Sequence, residues 1–171
     1  GIFPPDEVIF EYIDRIKPLN QYQKEEWSLL KSDSKANYER TININCSQLS
    51  PQVACPHLPD NVEDVEKLKD VKVNQVFIGS CTNGRIEDLR LAARILKGKK
   101  ICPTIRLIII PGSQLILQQA LKEGIWEIFL NAGAILGPPA CGPCPGSDLG
   151  LLAEGEVALS TSNRNFRGRM G

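Results

Sequence analysis

The sequence contains a single histidine, His57, and no excess of either charge: Lys plus Arg and Asp plus Glu each number 20 in 171 residues. That balance excludes the basic footprint of a nucleic-acid binder or of a tail held by anionic lipid. No apolar run approaches the ~18 residues of a membrane-spanning helix. A basic-then-apolar leader is missing as well, and so are internal repeats and low-complexity tracts. These absences lead us to expect a soluble, cytoplasmic chain with neither a nucleic-acid nor a membrane partner. What is there suffices for one compact domain, since 42% of the residues are hydrophobic. Gly1 stands where an initiator Met would be, and Arg164–Gly171 stops without a closing helix or strand. Both features lead us to expect a fragment.

Six cysteines are present: Cys46, Cys55, Cys81, Cys102, Cys141 and Cys144. The chain is long for a disulfide-stapled domain and shows no export signal, so reduced thiols are expected. "ACGPCPG" (Ala140–Gly146) holds the one closely spaced pair. A redox dithiol wants its CxxC at a helix start, and "PGSDLG" after Cys144 starts no convincing helix. A structural zinc site usually shows two paired motifs, and here there is one pair beside single cysteines. Burial as a small hydrophobe suits Cys102, Cys46 and Cys55 better than it suits two cysteines in a Gly/Pro loop. The fourth reading joins Cys81, Cys141 and Cys144 on an iron–sulfur cluster. Cys81 lies just before an expected helix, whose N-terminal dipole favours negative charge. Three thiolates on a four-iron cluster leave one iron open to water or a substrate oxygen, as a Lewis acid.

The first 72 residues read as the less regular part. "PPDEVIFEYIDRI" predicts a helix with Pro in its first turn and Val8, Ile9, Tyr12, Ile13 and Ile16 on one stripe. "KPLNQYQKEEWSLLKSDSKAN" reads as polar surface. "YERTININCSQL" alternates and predicts a strand. "SPQVACPHLPDNVEDV" carries three prolines and reads as irregular, followed by a short polar helix over 62–70. Residues 73–171 alternate. "NQVFIGS" and "TIRLIII" predict buried strands, and "AILGPP" and "EVALST" two short ones. "GRIEDLRLAARILKG", "SQLILQQALKEG" and "IWEIFLNAG" predict helices, with Ser113 as a cap and Gly98, Gly124 and Gly133 as stops. This predicts an α/β fold: a mostly parallel sheet with helices on both faces. Ligands of such sheets sit beyond the carboxyl ends of the strands. "GSCTNGR", "GPPACGPCPG" and "STSNRNFRGR" all follow predicted strands and can reach one crevice.

The last of these carries Arg164, Arg167 and Arg169 with no acid after Glu156. Planar guanidinium groups take carboxylates with two bonds at once. A solvated basic loop is the plainer reading, and the nearby cysteines tip it towards substrate anions. Asn163 and Asn165 are candidate donors to cluster sulfur or substrate. His57 reads as a packing or surface histidine, and Trp27 and Trp126 as packing residues.

"GIFPPDE", "SPQVACPHLPDNV", "IGSCTNGRIEDL", "CGPC" and "STSNRNFRGRMG", in that order, resemble the aconitase superfamily over nearly the whole chain. Within it the likeness is to the large-subunit family of the 3-isopropylmalate dehydratases, with the homoaconitases next. The resemblance implies an incomplete domain of the aconitase iron–sulfur type. It implies a [4Fe–4S] cluster, one per large subunit, held by Cys81, Cys141 and Cys144. Arg164 and Arg169 match the arginines that bind substrate carboxylates, and Asn163 matches an asparagine close to the cluster. Arg167 matches no functional position. The implied activity is that of a hydro-lyase of leucine biosynthesis, acting on a hydroxy-dicarboxylate or tricarboxylate. A separate small subunit completes the pocket in the two-subunit enzymes. The family's proton-handling histidine and aspartate segments lie upstream of "GIFPPDE", so residues 1–171 alone are expected to be inactive.

Overall fold

The computed structural model describes residues 3–18 and 20–170; Gly1 and Ile2 of the "GIFPPDE" stretch, Leu19 and Gly171 lie outside the described residues. The chain divides into two compact units, Gly1–Gln48 and Leu49–Gly171.

In the first unit, helix α1 spans Glu7–Ile16. Asp6 rather than a proline starts it: its carboxylate accepts from the Ile9 N–H at 3.0 Å, which satisfies one of the open donors of the first turn. The expected apolar stripe is largely exposed, with Val8 at 72% and Ile16 at 65%, and Phe10 is the buried residue of this helix. The stretch expected as polar surface contains helix α2, Gln21–Ser28, started by a reciprocal capping box between Asn20 and Gln23. An ion pair between Lys24 and Asp14 links the two helices. The strand expected over "YERTININCSQL" is not formed. Residues 40–45 are irregular and a 3-10 turn covers Cys46–Gln48. Alternation marks a strand only where a neighbouring strand takes up its hydrogen bonds, and Ile42 and Ile44 lie open at 65% and 66%.

The second unit begins with a correction. The proline-rich stretch expected to be irregular is a hairpin: β1 (Gln52–Ala54) pairs antiparallel with β2 (Val62–Asp64), Val53 opposite Glu63. The expected helix over 62–70 shrinks to a 3-10 turn, Val65–Leu68. Strand β3 (Gln75–Gly79) follows, then the four-residue helix α3 (Ser80–Asn83) and α4 (Ile86–Leu96). Strand β4 is Arg106–Ile110, α5 is Gln114–Lys122 and α6 is Ile125–Ala132. Two short strands close the order, β5 (Ile135–Leu136) and β6 (Ala158–Ser160). Ser113 caps α5 through its hydroxyl, and Gly124 and Gly133 take the left-handed conformation at the two ends of α6.

The sheet has the order β5-β4-β3-β6, and every pair in it is parallel. All its carboxyl ends therefore lie along one edge. Strand β4 is central, and its continuous apolar run suits burial on both faces. Leu107 and Ile109 pack with Leu89, Ala93, Ala120 and Phe129 of the three longer helices of this unit. Ile108 and Ile110 face the other way, with Phe77 and Met170. Helices cover the first of these faces. On the second, the expected helical cover is replaced by the irregular chain around Cys144, Leu152 and Met170, because the Gly/Pro-rich 137–150 stretch favours turns over a helix. Among the described residues no helix is long and apolar enough to cross a membrane.

Candidate functional site

The three loops singled out in the sequence leave β3, β5 and β6 at the same edge of the sheet. The first is pressed onto the end of β4 by a glycine. Gly79 lies opposite Ile110 in the ladder and has φ +126; a Cβ there would fall 1.9 Å from the Ile110 carbonyl oxygen. Only glycine permits that approach. Ser80 follows at φ 67, a left-handed serine that is buried. Such strained residues persist where the surroundings over-determine them, and they gather at functional sites. Cys81 is therefore not in the turn ahead of α4. It sits within α3, which intervenes, and its thiol is exposed.

The second loop meets the same residue from the other side. Gly142, between the paired cysteines, has φ +58, and a Cβ there would lie 2.4 Å from Ile110 Cδ1 and 3.3 Å from the Phe77 ring. Gly142 and Pro143 are buried, while Cys141 is exposed and Cys144 half-buried. The Cys144 N–H donates to the Cys141 carbonyl at 3.4 Å, so the pair brackets a tight turn. Both cysteine-bearing turns thus converge on Ile110.

The third loop is tied to the other two. The Thr161 N–H donates to the Phe77 carbonyl at 3.0 Å, and the Thr161 hydroxyl accepts from the Gly79 N–H at 3.0 Å. The Asn83 amide donates to the Thr161 carbonyl. Farther along, Arg169 Nη1 donates to the Cys144 carbonyl at 2.9 Å. Asn163 and Arg164 are exposed, and Arg164 and Arg167 make no hydrogen bond or ion pair among the described residues. Asn165 points elsewhere than the sequence led us to expect: its amide donates to carbonyls of the hairpin turn, not towards the cysteines. A cavity of about 950 Å³ runs along this loop, with Val53 and His57 of the hairpin and Arg164 and Arg169 among its lining residues.

All six cysteines are free. Among the described residues no three His, Cys, Asp or Glu side chains stand close enough to hold one metal ion. Thiolates of a four-iron cluster each sit on a different iron, so they are spaced more widely than the ligands of a single ion. The two turns packed on Ile110 carry three thiols, Cys81 on one and Cys141 and Cys144 on the other, and thiolates are the donors such a cluster uses. Sequence reasoning found the three loops from their place after strands. It missed Ile110 as the platform, Thr161 and Asn83 as ties, and the hairpin as a wall. Gly79 and Gly142 were the signals available.

The chain is matched by the aconitase family (aconitate hydratase) over residues 1–69 and 62–171. It is 50% identical over 171 residues to a 3-isopropylmalate dehydratase large subunit of Thermodesulfovibrio yellowstonii. It is 52% identical over 171 residues to one of Moorella thermoacetica, and 50% identical over 173 residues to 3-isopropylmalate dehydratase large subunit 1 of Pyrococcus furiosus. Each match covers the whole of this chain, which spans 39% of the length of each relative. With the match running through both units and through all three loops, this chain belongs to the aconitase family.

Proposed function

We propose that residues 1–171 are the cluster-bearing part of the large subunit of a 3-isopropylmalate dehydratase, a cytoplasmic hydro-lyase of leucine biosynthesis. The observation that carries the reading is the identity of about half the residues to large subunits of that name, sustained over the whole chain. The names favour isopropylmalate over homoaconitate as substrate.

In this reading Cys81, Cys141 and Cys144 hold a [4Fe–4S] cluster. When bound, the cluster supplies a Lewis acid at the iron without a protein thiolate. The chain's own residues do the binding and orienting. Arg164, exposed and unpaired among the described residues, is free to take a substrate carboxylate by two bonds. Arg169 is held beside the paired cysteines by its bond to the Cys144 carbonyl, and its remaining N–H donors are assigned to a second carboxylate. Asn163 stands next to Arg164 as a neutral donor. The net reaction removes water from adjacent carbons and returns it with the hydroxyl moved by one carbon. The proton-transfer groups for these steps come from polypeptide beyond residues 1–171, and a small subunit closes the pocket.

The test is iron and acid-labile sulfide content after anaerobic reconstitution, for the wild type and Cys81→Ser, with turnover of 2-isopropylmalate measured on the full-length subunit plus small subunit. We expect about four irons per chain in the wild type, their loss in the variant, and no turnover by residues 1–171 alone. Equal iron in both proteins, or a full-length pair without turnover, would sink the reading.

A further inference from the structure

We infer that Asn165 is a positioning residue, which sets the arginine-bearing segment 163–169 against the turn of the hairpin. Its side-chain amide nitrogen lies within hydrogen-bond distance of three hairpin carbonyls, Cys55 at 2.7 Å and Ala54, the last residue of β1, and Leu58 at 3.2 Å, so its two N–H groups are shared among three acceptors. Three acceptors around one nitrogen fix the orientation of the amide. Rotated by half a turn, Asn165 would set its own oxygen against three carbonyl oxygens. No other neutral side chain of this length offers two N–H donors from one atom. An aspartate fills the same space and offers none.

The far side of the amide strengthens the case. Asn165 Oδ1 is buried and has no hydrogen-bond partner among the described residues. A buried acceptor left open is costly, and native structures keep few of them. The orientation of the amide is thus set from its nitrogen side.

Those bonds are one of two anchors on the same segment. Four residues on, Arg169 Nη1 donates to the Cys144 carbonyl at 2.9 Å, and the turn between is closed by the Arg169 N–H donating to the Phe166 carbonyl at 3.0 Å. Residues 165–169 therefore bridge the hairpin and the paired-cysteine turn. Arg164 hangs from the hairpin end of that bridge, and Arg169 forms its other end. The hairpin and the arginine segment together line the cavity of about 950 Å³, so Asn165 sets how the two walls stand relative to each other. The substrate-binding consequence rests on the function proposed above; the bridge itself does not.

The test pairs hydrogen–deuterium exchange on the full-length polypeptide with steady-state kinetics on 2-isopropylmalate in the cluster-loaded two-subunit enzyme, for the wild type, Asn165→Asp and Asn165→Ala. In both variants exchange should rise about tenfold or more in 53–58 and in 163–170 together, and stay unchanged in β3 and β4. KM should rise about tenfold with kcat within about twofold, the mark of lost binding that is uniform between ground and transition state. A rise confined to one segment, or none, would overturn the bridge. A rise that includes β3 and β4 would make Asn165 a general stability residue and overturn the proposal too. Coupled exchange with an unchanged KM would reduce it to a strap without a positioning role. A wild type that does not turn over isopropylmalate refutes the function instead, and the exchange data then decide the bridge alone.

Discussion

Arg106 grips Glu156 with both arms of its guanidinium, Nη1 to Oε1 at 2.8 Å and Nη2 to Oε2 at 2.6 Å. Its Nε donates to Gln75 Oε1 at 3.1 Å, and Gln75 Nε2 donates in turn to the Gly150 carbonyl at 2.6 Å. The Ala153 N–H adds a bond to Glu156 Oε2 at 2.9 Å. The starts of β3 and β4 thus hold the chain that returns from the paired cysteines towards β6. The clamp sits at the opposite end of the sheet from the candidate site and fixes the base of the loop that carries Cys141 and Cys144.

The clamp predicts an acid-labile contribution to stability. The Arg106 guanidinium, and after it the Ala153 N–H, hold the Glu156 carboxyl down from 4.5 to about 2. A carboxyl with a depressed folded-state pKa stabilises above its unfolded value and loses that contribution as pH falls through the folded one. Melting temperatures of the wild type and Glu156→Gln should therefore differ most above about pH 4.5 and converge as pH falls to about 2. A gap that stays constant over that window would show that the carboxylate charge is not what stabilises.

The two site glycines should respond unequally to alanine. In Gly142→Ala the new methyl meets the tip of a side chain, Ile110 Cδ1, which can shift. The left-handed backbone then sets the cost, at ~1–3 kcal/mol. In Gly79→Ala it meets the Ile110 carbonyl within the ladder, which cannot yield without parting β3 from β4. We expect at least ~3 kcal/mol there. Urea denaturation midpoints check the order, and equal losses would contradict the account of Ile110 as a common platform.

Thr161 offers a milder way to loosen the Cys81 turn. In Thr161→Val the shape is kept and the acceptor for the buried Gly79 N–H is lost. An unpaired buried donor costs ~1–3 kcal/mol. Alkylation of Cys81 should speed up in this variant while that of Cys46, in the other unit, stays the same. Equal rates would mean that the Asn83 contact alone fixes the turn.

Much of this architecture was legible from residue order. Strands β3 and β4 are apolar runs, and a central strand of a parallel sheet reads that way. Helices α4 to α6 have helical spacing, and Ser113, Gly124 and Gly133 mark their ends as expected. The first half was less legible. Pro56 and Pro59 hide a hairpin whose strands are three residues long, too short for an alternating signal. The alternation at 42–44 suggested a strand that does not form, since period alone names no partner. The three loops could be placed at one edge because each follows a strand. Their meeting at Ile110 could not be foreseen, because it depends on the register that sets Gly79 against Ile110. Asn165 was noticed as a donor but aimed wrongly, since its acceptors lie over a hundred residues back in the chain.

Cys102 provides the last prediction, in a cysteine outside the candidate site. Its thiol lies 3.1 Å from the Thr104 hydroxyl, and the Thr104 hydroxyl first, then its backbone N–H, hold the thiol pKa below the ordinary value. It is exposed, at the edge of an apolar cavity of about 560 Å³ that Leu91, Ile95 and Ile105 also line. The thiolate is the nucleophile, so a lowered pKa in an accessible thiol raises the reactive share near neutral pH. Iodoacetamide should therefore label Cys102 faster in the wild type than in Thr104→Val at pH 7. The difference should shrink as pH rises and both proteins become fully ionised. Mass mapping of the labelled peptide separates Cys102 from the other five thiols. Identical rates at every pH would mean that the hydroxyl packs against the sulfur without stabilising its charge.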